Sequence, residues 1–153
     1  MKLTSSAFED NSNLPKKYSC EGEGINPPLE FSGIPAGTKS LALTLEDPDA
    51  VSHAPFIHWV FFNISPNLKF IKEGEIPSNA QEGFNSAGES GYFPACPPSG
   101  SGLHHYIFRL FALDEMLKDM PEFTDKEMLI EAMHGHVIDQ TSLTGLYQNS
   151  KDK

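Results

Sequence analysis

Three stretches of the chain carry strong apolar patterns, and all three have the period of strands. In LALTL, Leu41, Leu43 and Leu45 alternate with the smaller Ala42 and Thr44, which predicts a strand packing one face on a core. FIHWVFFNI, Phe56 to Ile64, is apolar on both faces and rich in aromatic and β-branched residues, as expected of a central strand covered on both sides. Parity there groups His58 with Val60 and Phe62. In YIFRLFAL, Tyr106, Phe108 and Leu110 share one face, and Ile107, Arg109 and Phe111 share the other. A last strand-like segment spans Val137 to Tyr147. Only one region reads as helix: Thr124 and Glu127 form a capping box before Met128, Leu129, Ala132 and Met133, and Gly135 stops the run. Twelve prolines and twelve glycines divide these segments, a pattern of strands joined by turns. The expected fold is mainly β, with one helix near residues 125–134. The last six residues, Gln148 to Lys153, are polar and are expected to fray.

Composition narrows the function. A chain of 153 residues without repeats or a linker-like break reads as one domain, residues 1–153, with enough bulk for a core that needs no metal staple. Its formal net charge of -10 repels polyphosphates and anionic membrane surfaces, so nucleic acid is not an expected partner. A buried group of imidazoles and backbone N–H groups can still attract a small anion at short range. No secretory leader and no apolar run long enough to cross a membrane are visible, which gives a cytoplasmic expectation. Cys20 and Cys96 lack any CxxC or Cys/His spacing. In a reducing cytosol they are expected to stay free, with a Cys20–Cys96 disulfide as the lesser alternative.

Three short stretches hold the candidate chemistry. EDPDA, directly after the first strand, reads most simply as a proline-stiffened turn closed by Asp47 and Asp49; alternatively, one of these carboxylates faces a cavity. His58, alone in an apolar strand, reads most simply as a core histidine, but its ring nitrogens need polar partners. CPPSGSGLHHYIF is the most informative stretch. Its SGSG segment can turn several backbone N–H groups toward one point as an anion nest, although no Lys-Ser/Thr or helix follows as in a P-loop. If extended structure begins at His104, that residue and Tyr106 share a face, while His105 points the other way. His53, His134 and His136 are expected in solvated or capping roles.

Taken together, these motifs resemble the phosphatidylethanolamine-binding protein family in its bacterial and archaeal kinase-inhibitor-like branch. The likeness runs through SSAF, YSCEGEGINPPLEF, LALTLEDPDA, HWVFFNI, CPPSG with LHHYIFRLFALD, and HGHVIDQTSLTGLY, in matching order and spacing. It implies a Greek-key β-sandwich of antiparallel sheets with a few peripheral helices. It also implies a pocket for phosphate, acetate or a phosphoryl headgroup, formed by Asp47, His58, His104 and Tyr106 with Pro97 in the rim. Family members are described as regulators of kinases or proteases, so a kinase or protease is the implied protein partner. No cofactor or metal is implied.

In the expected mechanism Asp47 favours the protonated imidazoles and orients one of them or receives a ligand hydroxyl or amine, His58 and His104 donate to ligand oxygens, and Tyr106 adds a hydroxyl. The chain is therefore read as a ligand-binding protein and not an enzyme. The competing reading is a hydrolase or metal-dependent enzyme using the same cluster with Cys96. Two departures from the family pattern affect the pocket lip: Val51 where a proline is usual, and Pro94-Ala95 where Gly-Pro is usual.

Overall fold

The computed structural model describes all 153 residues. Its strands are β1 (Lys2–Thr4), β2 (Ser12–Asn13), β3 (Leu29–Ser32), β4 (Ser40–Asp47), β5 (Phe56–Ile64), β6 (Phe70–Ile71), β7 (Gln81–Glu82), β8 (His104–Leu113) and β9 (Val137–Tyr147). One α-helix, α1 (Lys126–Met133), and two short 3-10 turns complete the fold. Six strands form the main sheet in the order β2-β9-β8-β4-β5-β7, and β1-β3-β6 form a second. The chain leaves β5, passes through β6 and β7, and returns with β8 beside β4, which gives the expected sandwich its non-sequential strand order. One pairing departs from the antiparallel expectation: β2 runs parallel to β9.

The main sheet is buried on both faces, and each face has its own core. Leu41, Leu43 and Leu45 of β4 and Phe108 and Leu110 of β8 belong to the larger core, with Leu3, Leu29 and Phe31 of the second sheet. On the other side Ala42, Val60, Phe62 and Phe111 pack with Leu129 and Met133 of α1. β4 is thus buried at every position, rather than on one face as its alternation suggested. Small Ala42 is where the helix layer lies.

Two β-bulges in β5 reset the parity read from the sequence. Leu45 pairs with Trp59 but Glu46 pairs with Ile57, so β5 carries one extra residue, His58, at that point. A second extra residue lies between the Leu41–Ile64 and Leu43–Phe61 pairs, where Asn63 takes a left-handed φ of 55°. Hence His58, expected with Val60 and Phe62, lies instead on the side of Trp59 and Tyr106, and the site is built there.

The N-cap of helix α1 lies one residue later than predicted. The Asp125 carboxylate accepts from Met128 N at 2.9 Å, whereas the buried Thr124 hydroxyl donates to the Pro121 carbonyl at 2.6 Å. The preceding turn has taken Thr124, and aspartate supplies the cap. The C-terminal residues expected to fray are also ordered, as a 3-10 turn over Ser150–Asp152.

Candidate functional site

The alternation that fills the larger core also assembles the site at its end. Along β4, the odd-numbered face continues from Leu45 to Asp47; along β8, the even-numbered face continues back from Phe108 through Tyr106 to His104. The bulge in β5 brings His58 to the same place. Asp47, His58, His104 and Tyr106 are each no more than 4% exposed. With Pro97 they line one cavity of about 170 Å³, which Phe56 and Phe93 also enclose. All five predicted site residues thus meet at one point.

Their hydrogen bonds match the sequence expectation for Asp47, which holds one imidazole, and depart from it for His104. Asp47 Oδ2 lies 2.7 Å from His104 Nδ1, and Asp47 Oδ1 accepts from Asp49 N at 2.8 Å. The two readings of EDPDA are therefore both true of one side chain: one oxygen closes the turn and the other holds a buried histidine. His104 Nε2 lies 2.9 Å from the Ser101 hydroxyl, which donates to the Pro98 carbonyl at 2.6 Å. Both nitrogens of His104 are engaged by the protein. His105 faces outward, as its parity predicted, and pairs with Asp49 at 2.7 Å.

His58 and Tyr106 are different. His58 Nδ1 donates to the Phe93 carbonyl at 2.7 Å, which leaves Nε2 over. Its ring is gripped edge-on by Phe56 at 4.8 Å and by Tyr106 at 5.3 Å between centroids. The one enclosed side-chain polar atom without either a partner or accessible surface is Thr44 Oγ1, elsewhere in the sheet. His58 Nε2 and the Tyr106 hydroxyl face the cavity, the hydroxyl within hydrogen-bonding reach of Asp47 and the imidazole beside the Phe93 and Pro94 carbonyls.

Burial pushes the His58 pKa down, and this outweighs the opposing pull of the Phe93 carbonyl and of Asp47. The expectation that Asp47 would favour a protonated His58 is overturned, because desolvation in an aromatic cage is the larger effect. Burial first, and then the charge of Asp47 and its hydrogen bond, push the Tyr106 pKa up, so its hydroxyl keeps its proton. The cavity thus presents one donor, the Tyr106 O–H that Asp47 also reaches, and one acceptor, the neutral Nε2 of His58.

The rim holds features that the sequence did not disclose. Cys20 and Cys96 form a disulfide with 5.3 Å between Cα atoms, contrary to the expectation of free thiols. Distance along the chain hid this contact: Ser19 bridges to Ala95, and Cys20 N donates to the Ala95 carbonyl at 2.9 Å. Disulfides are rare in a reducing cytosol, so the pairing also weighs against the premise behind the cytoplasmic expectation. Because Cys96 is bonded, the hydrolase alternative loses its proposed thiol nucleophile. Pro94 and Ala95 have no left-handed φ, so the missing family glycine imposes no strain here. Val51 lines the cavity mouth and is 68% exposed.

The other histidines stand apart from this cavity. His134 caps α1, His53 is exposed, and His136 bonds Asp114 and Glu115 through its two nitrogens. These last three are the one group whose potential metal-ligating atoms lie within 4.8 Å of one another. A wider groove of about 790 Å³ runs between α1 and residues 53–57 and 84–86. Its charges are exposed carboxylates and a Lys126 already bound to Glu46, without the enclosed polar pair of the smaller cavity. No helix is long and apolar enough to cross a membrane.

A two-sheet sandwich with a small enclosed cavity at the end of its core defines a ligand-binding class of protein. The chain belongs to the phosphatidylethanolamine-binding protein family, whose sequence model matches residues 4–148. It is 44% identical to a UPF0098 protein of Methanothermobacter thermautotrophicus over 153 aligned residues, 97% of this chain and 99% of that protein. Among solved structures, a putative phosphatidylethanolamine-binding protein homologue of Chlamydia trachomatis superposes with a TM-score of 0.91 at 45% identity, covering 97% of both chains. YbcL of E. coli, described as a new member of the mammalian family, gives a TM-score of 0.90 at 28% identity, covering 97% of this chain and 98% of its own.

Proposed function

We propose that this protein binds a small oxyanion of the phosphate or carboxylate class in the 170 Å³ cavity and takes up a proton with it. The observation that carries this reading is that His58 Nε2 and the Tyr106 hydroxyl face a small cavity walled by aromatic rings and prolines, with Asp47 and His104 tied to each other beside them. Tyr106 donates to one ligand oxygen. The second oxygen meets a lone pair on neutral His58, and two acceptors repel unless a proton lies between them. That proton arrives on the ligand or is gained by His58; the proton count is the same either way. Asp47 and His104 are positioning residues: they fix the DPD turn against β8 and leave the cavity wall without a second mobile charge.

Titration calorimetry with inorganic phosphate tests the proposal. One coupled proton makes affinity fall by up to about tenfold per pH unit above the relevant pKa, so binding should weaken steadily between about pH 5.5 and pH 8.5. Tyr106→Phe, which removes a donor to a charged group, should weaken binding by about tenfold or more. Affinity that is flat with pH and untouched by Tyr106→Phe would overturn the reading.

A further inference from the structure

The SGSG loop and the C-terminal tail, unconnected in the sequence, meet in the structure. Gly100 N donates to Asp152 Oδ1 at 2.7 Å, and Gly102 N donates to Asp152 Oδ2 at 3.2 Å. Both oxygens of one carboxylate are thus held by two N–H groups of one loop. Gly100 and Gly102 have φ of 90° and 78°, and the space where a Cβ would sit is open at each. Glycine is required here for backbone conformation and not for packing, as in an anion nest. The loop also adjoins the cavity: Ser101, between the two glycines, bonds His104 Nε2, and Pro98 lines the cavity.

We infer that the Ser99–Gly102 loop is a second oxyanion subsite beside the cavity, and that the Asp152 carboxylate is its tethered occupant. No cationic side chain joins Asp152 at the nest, so only the two N–H contacts resist displacement. The tail is anchored separately, by Asn149 Nδ2 to the Pro97 carbonyl at 3.2 Å and by the Ser150 hydroxyl to Glu21 at 2.5 Å. This short tether holds the carboxylate at an effective concentration of about millimolar or above, enough to compete with weak external ligands. A phosphate or carboxylate group that displaces Asp152 would take its place on the same two N–H groups. The inference does not rest on His58 or Tyr106.

Amide NMR with inorganic phosphate separates the two sites. In Asp152→Ala, the Gly100 and Gly102 amide signals should move with phosphate, with half-saturation lower than in the wild type by about threefold or more. The Asp152→Ala/Tyr106→Phe double variant should retain that response even if cavity binding is lost. The amides of β4 and β5 report that the fold is unchanged. Gly100 and Gly102 signals that stay still in Asp152→Ala, or that saturate at the wild-type concentration, would overturn the inference while leaving the cavity proposal standing.

Discussion

Replacing both cysteines, Cys20→Ser with Cys96→Ser, removes a cross-link between residues 76 apart in sequence. Opening a loop of that length returns chain entropy worth about 4.5 kcal/mol at room temperature, an upper figure because native strain and residual unfolded structure reduce it. Observed losses for native disulfides usually fall at about 2 to 5 kcal/mol. With a urea m-value of about 2 kcal/mol/M, the midpoint should drop by about 1 to 2 M. The cut also reaches the site. Cys96 lines the cavity and precedes Pro97 and Pro98, whose carbonyls accept from Asn149 and Ser101. A looser rim should therefore weaken phosphate binding as well. Urea denaturation of oxidised wild type, reduced wild type and the double variant measures the first effect, and calorimetry measures the second. Coincident midpoints for all three proteins, or two titratable thiols in the native protein without reductant, would refute the reasoning.

Two further perturbations test the packing and the ion pairs on the helix side of the main sheet. A Cβ on Gly83 would lie 2.1 Å from the Thr124 carbonyl oxygen and 3.0 Å from Val60 Cγ1, so Gly83→Ala must shift backbone and should cost about 2 kcal/mol or more in urea denaturation; an unchanged midpoint would contradict that packing. Glu46 is buried and accepts from Arg109 Nε at 2.8 Å and Lys126 Nζ at 2.7 Å. Burial alone would raise its pKa, but the two cations hold it below the usual carboxylate range. A depressed carboxylate pKa contributes stability above the unfolded pKa that is lost as pH falls through the folded one. Between about pH 6 and pH 3, wild type should therefore lose more stability than Glu46→Gln; parallel pH profiles would count against the ion pairs.

The strands that position the site were legible because their burial imposes a period of two. FIHWVFFNI matches β5 to the residue, and the shared face of His104 and Tyr106, with His105 outward, follows from alternation in β8. The face of His58 was not legible, because a bulge is a property of a pair of strands and leaves no mark in one. The protonation of His58 was misread for a related reason. The sequence offers the Asp47 charge as a neighbour, but the desolvation by Phe56 and Phe93 comes from rings whose contact depends on the bulge and on the loop before Cys96. The disulfide and the Asp152 contact join residues 76 and about 50 positions apart, and neither has a local signal. SGSG did announce a nest, while its occupant lay in a tail whose polarity suggested disorder.

The central claim is that His58 Nε2 and a proton meet the ligand in the cavity. It is tested most directly by imidazole nitrogen NMR of ¹⁵N-labelled protein during titration with phosphate at about pH 7. The account predicts that the free protein shows a neutral His58 with its proton on Nδ1. Saturation should then bring a hydrogen-bonded proton onto Nε2, while the His104 nitrogens, already engaged by Asp47 and Ser101, change little. A His58 signal that stays neutral and unbonded at saturating phosphate, or a response confined to His104, would contradict it.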